Sequence, residues 1–289
     1  MKEHKKPTRK LPLMKRLAAV VLAAALAFCA VTPITEVPAE AASKTTSWGV
    51  FIGTTLHGNT SKVKNYKSIV IDGQNYTKAE ITKLKSGGRK VYSYLSIGSI
   101  ATYRSYYKRF KKYTLGKYDN WPDERWIDTS KKAWQDFVVN ELVAGLRKKG
   151  IDGLWVDNTD VYYEFHRTSI LNGMISILSR CHSKKIPIII NGGDVFVSKI
   201  ISMGKAKIID GVMQEEVLTQ IVGYNSNKFA RQTKADRTYY EAYLKKVKKA
   251  GRSIALLEYT KSSSMRKEII NYCKKNGYSY YISNNVALK

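Results

Sequence analysis

Carboxylate side chains follow several short apolar runs of the sequence. Asp157 ends one run, the adjacent pair Glu215 and Glu216 ends another, and Asp72 and Glu258 lie at or near the ends of two more. Two carboxyl groups that face one bond, one protonated and one ionised, can protonate a leaving oxygen and stabilise or attack the positive centre that forms. We therefore predict a catalytic pair made of Asp157 and one of the two glutamates. Since adjacent side chains of a strand point in opposite directions, only one glutamate can face the site.

Each of these carboxylates also has a simpler interpretation. Asp72 precedes Gly73, a common turn dipeptide, and the segment 157–160 (Asp-Asn-Thr-Asp) has the composition of a helix cap. One member of the Glu215-Glu216 pair could bind a surface lysine, and Glu258 could bind an arginine across the site. The pair at 215–216 is the hardest to explain by solubility alone, because an apolar strand ordinarily ends in Gly or Asn.

Other chemistries find little support in the sequence. The histidines His57, His166 and His182 lack triad-like surroundings, and the sequence contains no G-x-S-x-G, P-loop or H-E-x-x-H motif. Cys181 and Cys273 lie about ninety residues apart within helical patterns, so we expect both to be buried and unpaired. We predict no metal site and no cofactor.

The amino terminus has the three parts of a secretory signal. Residues 1–16 are rich in Lys and Arg, residues 17–31 form an uninterrupted apolar run, and Ala39-Glu40-Ala41 resembles a signal-peptidase site. The apolar run is shorter than the roughly 20 residues of a membrane-spanning helix, although a retained anchor is the alternative. We predict a signal peptide over residues 1–41, a secreted protein without a further membrane span, and one folded domain over residues 42–289.

The remaining 248 residues alternate between short apolar runs and longer amphipathic segments. Eight short runs lie at 48–53, 68–73, 90–98, 152–158, 186–192, 208–216, 253–260 and 278–284. Most are continuously apolar, which is typical of strands buried on both faces of a parallel sheet. Strand–helix alternation repeated eight times over about 250 residues predicts an α/β fold, a single (β/α)₈ TIM-type barrel. An open doubly wound sheet is the alternative, but no G-x-G-x-x-G motif supports it.

Two connections are much longer than the others. Residues 99–129 separate the third run from its helix, and residues 217–238 follow the sixth run. In a barrel, loops from a strand to the next helix lie on the catalytic face, and loops of this length are usually functional or disordered. We expect both to contribute to the site.

The chain is strongly basic. Its formal net charge is +27, and the first 41 residues hold seven Lys/Arg and three Asp/Glu, which leaves +23 after their removal. Such a charge favours adhesion to polyanions. The lysines are spread over nearly every segment, so we predict electrostatic retention on anionic cell-wall polymers and no specific nucleic-acid binding. We expect a monomer, and the charge favours an acetylated or anionic polymer as substrate over a cationic one.

Several longer motifs carry a family resemblance. The segments YLSIGSIATYRSYY, LGKYDNWPDERWIDT, KGIDGLWVDNTDVYY, IIINGGDVF and DGVMQEEV resemble the endo-α-1,4-polygalactosaminidase family, glycoside hydrolase family 114. The resemblance implies a (β/α)₈ barrel that cleaves a galactosamine-containing or related amino-sugar polysaccharide internally, without a cofactor and with retention of configuration. The family's catalytic aspartate falls on Asp157, and its catalytic glutamate falls on Glu215, not Glu216.

The resemblance extends to side chains that would bind the polysaccharide. One position departs from the family pattern: Ala101 stands where the family has an acid, whereas Arg104 is retained. Together with the strand-end polar and aromatic residues, we predict a substrate-binding set of Asp72, Tyr94, Ser96, Arg104, Asn158, Asp160, Asn191, Glu258 and Tyr259.

Two functions of different classes remain open. The first is an active endo-glycosidase in which Asp157, held ionised by Asn158 and neighbouring donors, is the nucleophile. Glu215 is then the general acid/base, with its proton held by the nearby negative charge. The second is a non-catalytic polysaccharide-binding barrel retained at the cell surface, which the alanine at position 101 favours.

Overall fold

The computed structural model describes residues 47–119 and 121–289. The predicted signal peptide at residues 1–41 lies outside the described residues.

Eight parallel strands form the central sheet. They are β1 (Trp48–Phe51), β2 (Ser68–Ile71), β3 (Lys90–Ser96), β4 (Gly153–Asp157), β5 (Ile188–Asn191), β6 (Gly211–Glu215), β7 (Ser253–Tyr259) and β8 (Ser279–Ser283). Each strand pairs with the next in chain order. A parallel bridge between Ser47 and Tyr280 joins the two edges, so the sheet nearly closes into a barrel. The predicted (β/α)₈ barrel is confirmed.

The interior of the barrel is filled by alternate side chains of the strands. One buried cluster contains Val50, Trp155, Met213, Leu257 and Tyr259, together with neighbours from the other strands. The Trp155 indole N–H donates to Met213 Sδ at 3.3 Å. Because the side chains of a strand alternate between the two faces, the same strands also present apolar residues outward to the helices.

Helices cover the outside of the sheet. The longer ones span Lys78–Leu84, Lys132–Phe137, Val143–Lys148, Thr168–Ser183, Asp194–Ser202, Lys234–Lys249 and Ser263–Asn276. A π-helical segment, Val138–Leu142, joins the second and third of these. A large buried cluster lies between the helices and the sheet and includes both cysteines, which are unpaired, as predicted. Across residues 47–119 and 121–289, we find no helix with the length and apolar character of a membrane span.

The two long connections have regular structure of their own. The first forms an antiparallel sheet of Ser99–Ala101, Thr114–Tyr118 and Trp121–Ile127, together with the helix Tyr107–Phe110. The second contains an antiparallel hairpin of Thr219–Gly223 and Lys228–Arg231. Both leave the carboxyl ends of barrel strands, where they can contact the strand-end side chains described below.

Candidate active site

Asp157, Asn191 and Glu215 are the last residues of three adjacent strands, β4, β5 and β6. The Asn191 side-chain amide nitrogen donates to Asp157 Oδ1 at 3.1 Å and to Glu215 Oε1 at 2.6 Å. The strand register therefore brings the two carboxylates to opposite sides of a single amide group. Asn191 is buried, and its Oδ1 has no hydrogen-bond partner among the residues that the structure describes.

Glu215 and Glu216 face different surroundings. The Tyr259 hydroxyl, at the end of β7, donates to Glu215 Oε2 at 2.7 Å. Glu216 has a φ of +57°, and its carboxylate instead accepts the backbone N–H of Ile221 in the hairpin. Glu215 is thus the member of the pair that lies beside Asp157.

The electrostatics of Asp157 differ from the expectation of an aspartate held ionised. Burial, and secondly the negative charge of Glu215, raise the pKa of Asp157 to about 7, while the bond from Asn191 acts in the opposite direction. The Asn158 amide nitrogen binds Ser96 and Ser99, so among residues 47–119 and 121–289 the side-chain donor to Asp157 is Asn191. Glu215 accepts two donors, from Asn191 and Tyr259, whereas burial and the charge of Glu215 favour the protonated form of Asp157 in the free site.

Asn158 connects the barrel to the first accessory sheet, the antiparallel sheet of Ser99–Ala101, Thr114–Tyr118 and Trp121–Ile127. Its φ is +63°, and its amide nitrogen lies 3.0 Å from Ser96 Oγ and 2.8 Å from Ser99 Oγ. Gly98 allows this approach, because a Cβ there would lie 1.8 Å from the Asn158 carbonyl oxygen. Asn158 and Ser96 thus hold the segment that follows β3, and their side chains are already engaged with it.

Glu124 is a carboxylate of this site that the sequence did not single out. It accepts a hydrogen bond from Ser99 Oγ and lies 3.4 Å from the Asn158 amide nitrogen. Burial raises the pKa of Glu124, and its negative charge in turn helps to raise the pKa of Asp157. Glu124 precedes Asp157 by 33 residues and Glu215 by 91 and shares no motif with either, so only the pairing of the strands in the first long connection could have revealed it.

Asp72 and Arg104 form a buried ion pair. The Arg104 guanidinium lies 2.8 Å from Asp72 Oδ2, and both side chains are about 10% exposed. Asn75 also donates to this carboxylate, at 3.1 Å, and Gln74 N donates to its other oxygen. The ion pair links the long connection that follows β3 to the end of β2. The charges of these two predicted substrate-binding residues therefore neutralise each other.

Two other predicted residues adjoin the catalytic candidates. Tyr94, on β3, packs against Trp155 with ring centroids 6.1 Å apart. Burial, and secondly the charge of Asp157, raise the pKa of Tyr94 well above its usual value, so its hydroxyl stays protonated. Asp160 begins the short helix Val161–Phe165, and its charge contributes to the raised pKa of Asp157.

Glu258 is directed away from the catalytic pair. It is 0% exposed and accepts the backbone N–H groups of residues 217–219 and the Thr219 hydroxyl. Burial raises its pKa to about 7 against the effect of these four donors. The prediction that Glu258 contacts substrate is therefore wrong. Strand alternation turns the Glu258 side chain to the face opposite Tyr259, where it contacts the corner that follows β6.

The site offers carboxylates and amides but no metal cage. Within residues 47–119 and 121–289, no group of three or more His, Cys, Asp or Glu side chains is arranged to hold a metal ion. What the arrangement can do chemically is to place one protonated and one ionised carboxyl group around a bond.

Comparison with known proteins places this geometry in context. The sequence profile of glycoside-hydrolase family GH114 matches residues 30–287. The glycoside hydrolase domain of PelA from Pseudomonas aeruginosa aligns with a TM-score of 0.69 at 17% identity, covering 85% of this chain and 96% of that chain. Ega3 of Aspergillus fumigatus, solved in complex with galactosamine, aligns with a TM-score of 0.67 at 19% identity, covering 85% and 93%. No curated protein matched in a sequence search. At these identities, the structural likeness concerns the fold.

Proposed function

The chain belongs to glycoside hydrolase family GH114, and from that premise we propose that it is a secreted endo-acting hydrolase of a galactosamine-containing or related amino-sugar polysaccharide. One observation carries the proposal. A single amide, that of Asn191, contacts both Asp157 and Glu215 at the carboxyl ends of adjacent barrel strands. Active sites of (β/α)₈ enzymes are built at this end of the barrel, and glycosidic hydrolysis needs such a pair.

The spacing of the pair favours retention of configuration. The two oxygens bound by Asn191 can be no farther apart than the sum of their distances to its nitrogen, 3.1 Å and 2.6 Å, or about 5.7 Å. Retaining enzymes hold their carboxyl groups about 5–5.5 Å apart, whereas inverting enzymes need roughly 6.5–9.5 Å to admit a water. This upper limit on the distance between the two carboxylate oxygens supports direct attack by one of the carboxylates.

The proposed reaction has two steps. Asp157 attacks the anomeric carbon while Glu215 gives its proton to the glycosidic oxygen, so that the C–O bond to the leaving sugar breaks and a glycosyl–Asp157 ester forms. Water then attacks the same carbon, Glu215 accepts the water's proton, and the ester bond breaks. Before the first step, Asp157 gives the proton that it holds in the free site to Glu215, which thereby becomes the acid. The positive charge of a bound amino sugar, and then of the anomeric carbon, favours the ionised form of Asp157.

The local charge of the site supports a substrate with free amino groups. Asp157, Glu215, Glu124 and Asp160 lie together at one end of the barrel, while the nearby cation Arg104 is bound to Asp72. Even with the proton that Asp157 holds, this cluster has more carboxyl groups than cations although the whole chain carries +27, so the net charge is a poor guide to the substrate. The expectation of an acetylated or anionic polymer is replaced here by a cationic one. The galactosamine bound in the Ega3 structure has the same chemistry.

The remaining features concern where the protein works. We infer that residues 1–41 direct secretion, that the catalytic domain comprises residues 42–289, and that the secreted protein acts as a monomer. The excess of positive charge outside the site would retain it on anionic cell-wall polymers through interactions that weaken as salt rises.

The proposal is tested by incubating the protein with α-1,4-galactosaminan samples of graded acetylation and measuring new reducing ends. We expect internal cleavage that increases with the fraction of free amines. Binding of the same polymers without any new reducing ends would instead establish the non-catalytic polysaccharide-binding barrel.

A further inference from the structure

The chain turns sharply directly after Glu215. Glu216 adopts a φ of +57°, and residues 216–219 lead from β6 into the hairpin that begins at Thr219. In this corner, three consecutive backbone N–H groups, those of Val217, Leu218 and Thr219, have no acceptor in the barrel ladder. Buried N–H groups require a partner, since each one left without an acceptor destabilises the fold.

Glu258 supplies that partner from the neighbouring strand β7. Its Oε1 accepts the N–H groups of Val217 and Leu218, each at 3.0 Å. Its Oε2 accepts the N–H of Thr219 at 2.9 Å and the Thr219 hydroxyl at 2.6 Å. The Thr219 hydroxyl oxygen in turn accepts the backbone N–H of Tyr259 at 3.0 Å. One buried carboxylate thus binds the three consecutive N–H groups of residues 217–219.

The corner and β7 meet again at Glu215. Tyr259 follows Glu258 in sequence, and its hydroxyl binds Glu215 Oε2 at 2.7 Å. Phe229 of the hairpin stacks on the Tyr259 ring, with centroids 5.9 Å apart and planes 26° apart. Glu215 is therefore held by Asn191 and by Tyr259, while Glu258 binds the residues that follow Glu215 on one side and precedes Tyr259 in sequence on the other.

We propose that Glu258 is a positioning residue for Glu215, which sets the backbone corner from which this carboxylate reaches the substrate. The inference rests on the proposed catalytic role of Glu215. Gln232 provides the other ties of the corner, but it serves the carbonyl groups: its side-chain amide donates to Glu216 O at 2.7 Å, and its backbone N–H donates to Leu218 O at 2.9 Å. The N–H groups depend on Glu258.

The variant Glu258→Gln tests this role with little change in volume. One of its terminal atoms becomes an NH₂ group, which cannot accept the N–H or hydroxyl of Thr219. We expect hydrogen exchange at amides 217–219 to accelerate at least about 100-fold while the exchange of the other barrel strands is unchanged. We also expect kcat to fall about 10- to 100-fold with KM within about twofold, because a displaced catalytic group loses transition-state contacts more than ground-state ones.

Leu178→Ala is the matched control. Leu178 is buried in the outer core on the helix Thr168–Ser183, so this variant loses stability without touching the corner. It should lower Tm and leave both kcat and the exchange of amides 217–219 as in the wild type. Protected amides 217–219 in Glu258→Gln, or an unchanged kcat in an active enzyme, would overturn the positioning role. If the wild type itself hydrolyses no polymer, the proposed function is overturned. Accelerated exchange of amides 217–219 in Glu258→Gln would then still establish the role of Glu258 in the corner.

Discussion

Ala101 and Glu124 are register partners across two antiparallel strands of the first accessory sheet. The family pattern places an acid at position 101, where this chain has alanine. Glu124 puts a carboxylate directly beside that position, bonded to Ser99 and near Asn158, and its charge is felt by Asp157. The mouth of the barrel therefore keeps an acidic group at this point although residue 101 has none.

Glu124→Gln should weaken recognition of free amino groups. The variant removes the charge and keeps the shape, so kcat/KM for a deacetylated oligosaccharide should fall about 10- to 100-fold, or about 1.4–2.8 kcal/mol. For the N-acetylated counterpart, kcat/KM should change less than about threefold. The measurement is a pair of initial-rate series on the two oligosaccharides.

Asp123→Asn is the matched control for this variant. Asp123 neighbours Glu124 on the same strand but is exposed, so its charge is screened by solvent. It should leave the ratio of the two kcat/KM values unchanged. Equal losses on both oligosaccharides in Glu124→Gln would show that Glu124 only supports the Ser99–Asn158 contacts.

The fold and the catalytic candidates could be predicted from the sequence for a physical reason. Strands buried on both faces are continuously apolar, so the eight runs and the carboxylates that end them are visible without coordinates. Glu124 and Glu258 show where such reasoning stops. The place of Glu124 depends on antiparallel pairing within a long connection, and the direction of Glu258 depends on strand parity and on a corner whose N–H groups needed an acceptor.

The pH dependence of kcat/KM should respond to Asn191. Asp157 holds, with a pKa of about 7, the proton that Glu215 must deliver to the leaving oxygen, so kcat/KM should fall as pH rises through about pH 7 and this proton is lost. The hydrogen bond from Asn191 lowers this pKa, so Asn191→Ala should move the falling limb to higher pH. Asn75→Ala, which removes a similar bond from Asp72, should leave the limb in place. A limb that stays in place or moves to lower pH in Asn191→Ala would contradict the coupling.

Asp157→Asn should stabilise the fold at alkaline pH. The folded pKa of Asp157, about 7, lies above its usual value of 3.8, so ionisation favours the unfolded state. Through Asp157 the wild type therefore loses stability as pH rises from about 4 through 7, whereas the variant keeps only the similar loss that Glu258 causes. We expect Tm of the variant to exceed that of the wild type at pH 8, at about 2–4 °C per kcal/mol, and the difference to vanish near pH 4.

A surface aspartate is the control for that stability difference. The pKa of Asp136 is lowered, first by its bond to Lys132 and further by Arg180, so Asp136→Asn should give no rise in Tm at pH 8. A Tm of Asp157→Asn at or below that of the wild type at pH 8 would show that ionisation of Asp157 does not destabilise the fold.

Azide can separate the roles of the two carboxylates. In Asp157→Ala, azide should occupy the vacated space and attack an activated aryl α-galactosaminide from the side opposite the leaving group, which yields the β-glycosyl azide. In Glu215→Ala, azide should attack the glycosyl–Asp157 ester and yield the α-glycosyl azide. NMR of the products identifies each anomer. The reverse pattern would exchange the assigned roles.

The rate of new reducing ends from deacetylated galactosaminan, measured for three variants beside the wild type, tests the central claim most directly. Asp157→Asn and Glu215→Gln should each lower kcat by about 10²–10⁴-fold or more while folding and polymer binding persist. Glu216→Gln, which changes the same chemistry one residue away, should retain a kcat within about threefold of the wild type, since this side chain faces Ile221. Near-normal turnover by Asp157→Asn or by Glu215→Gln would contradict the account.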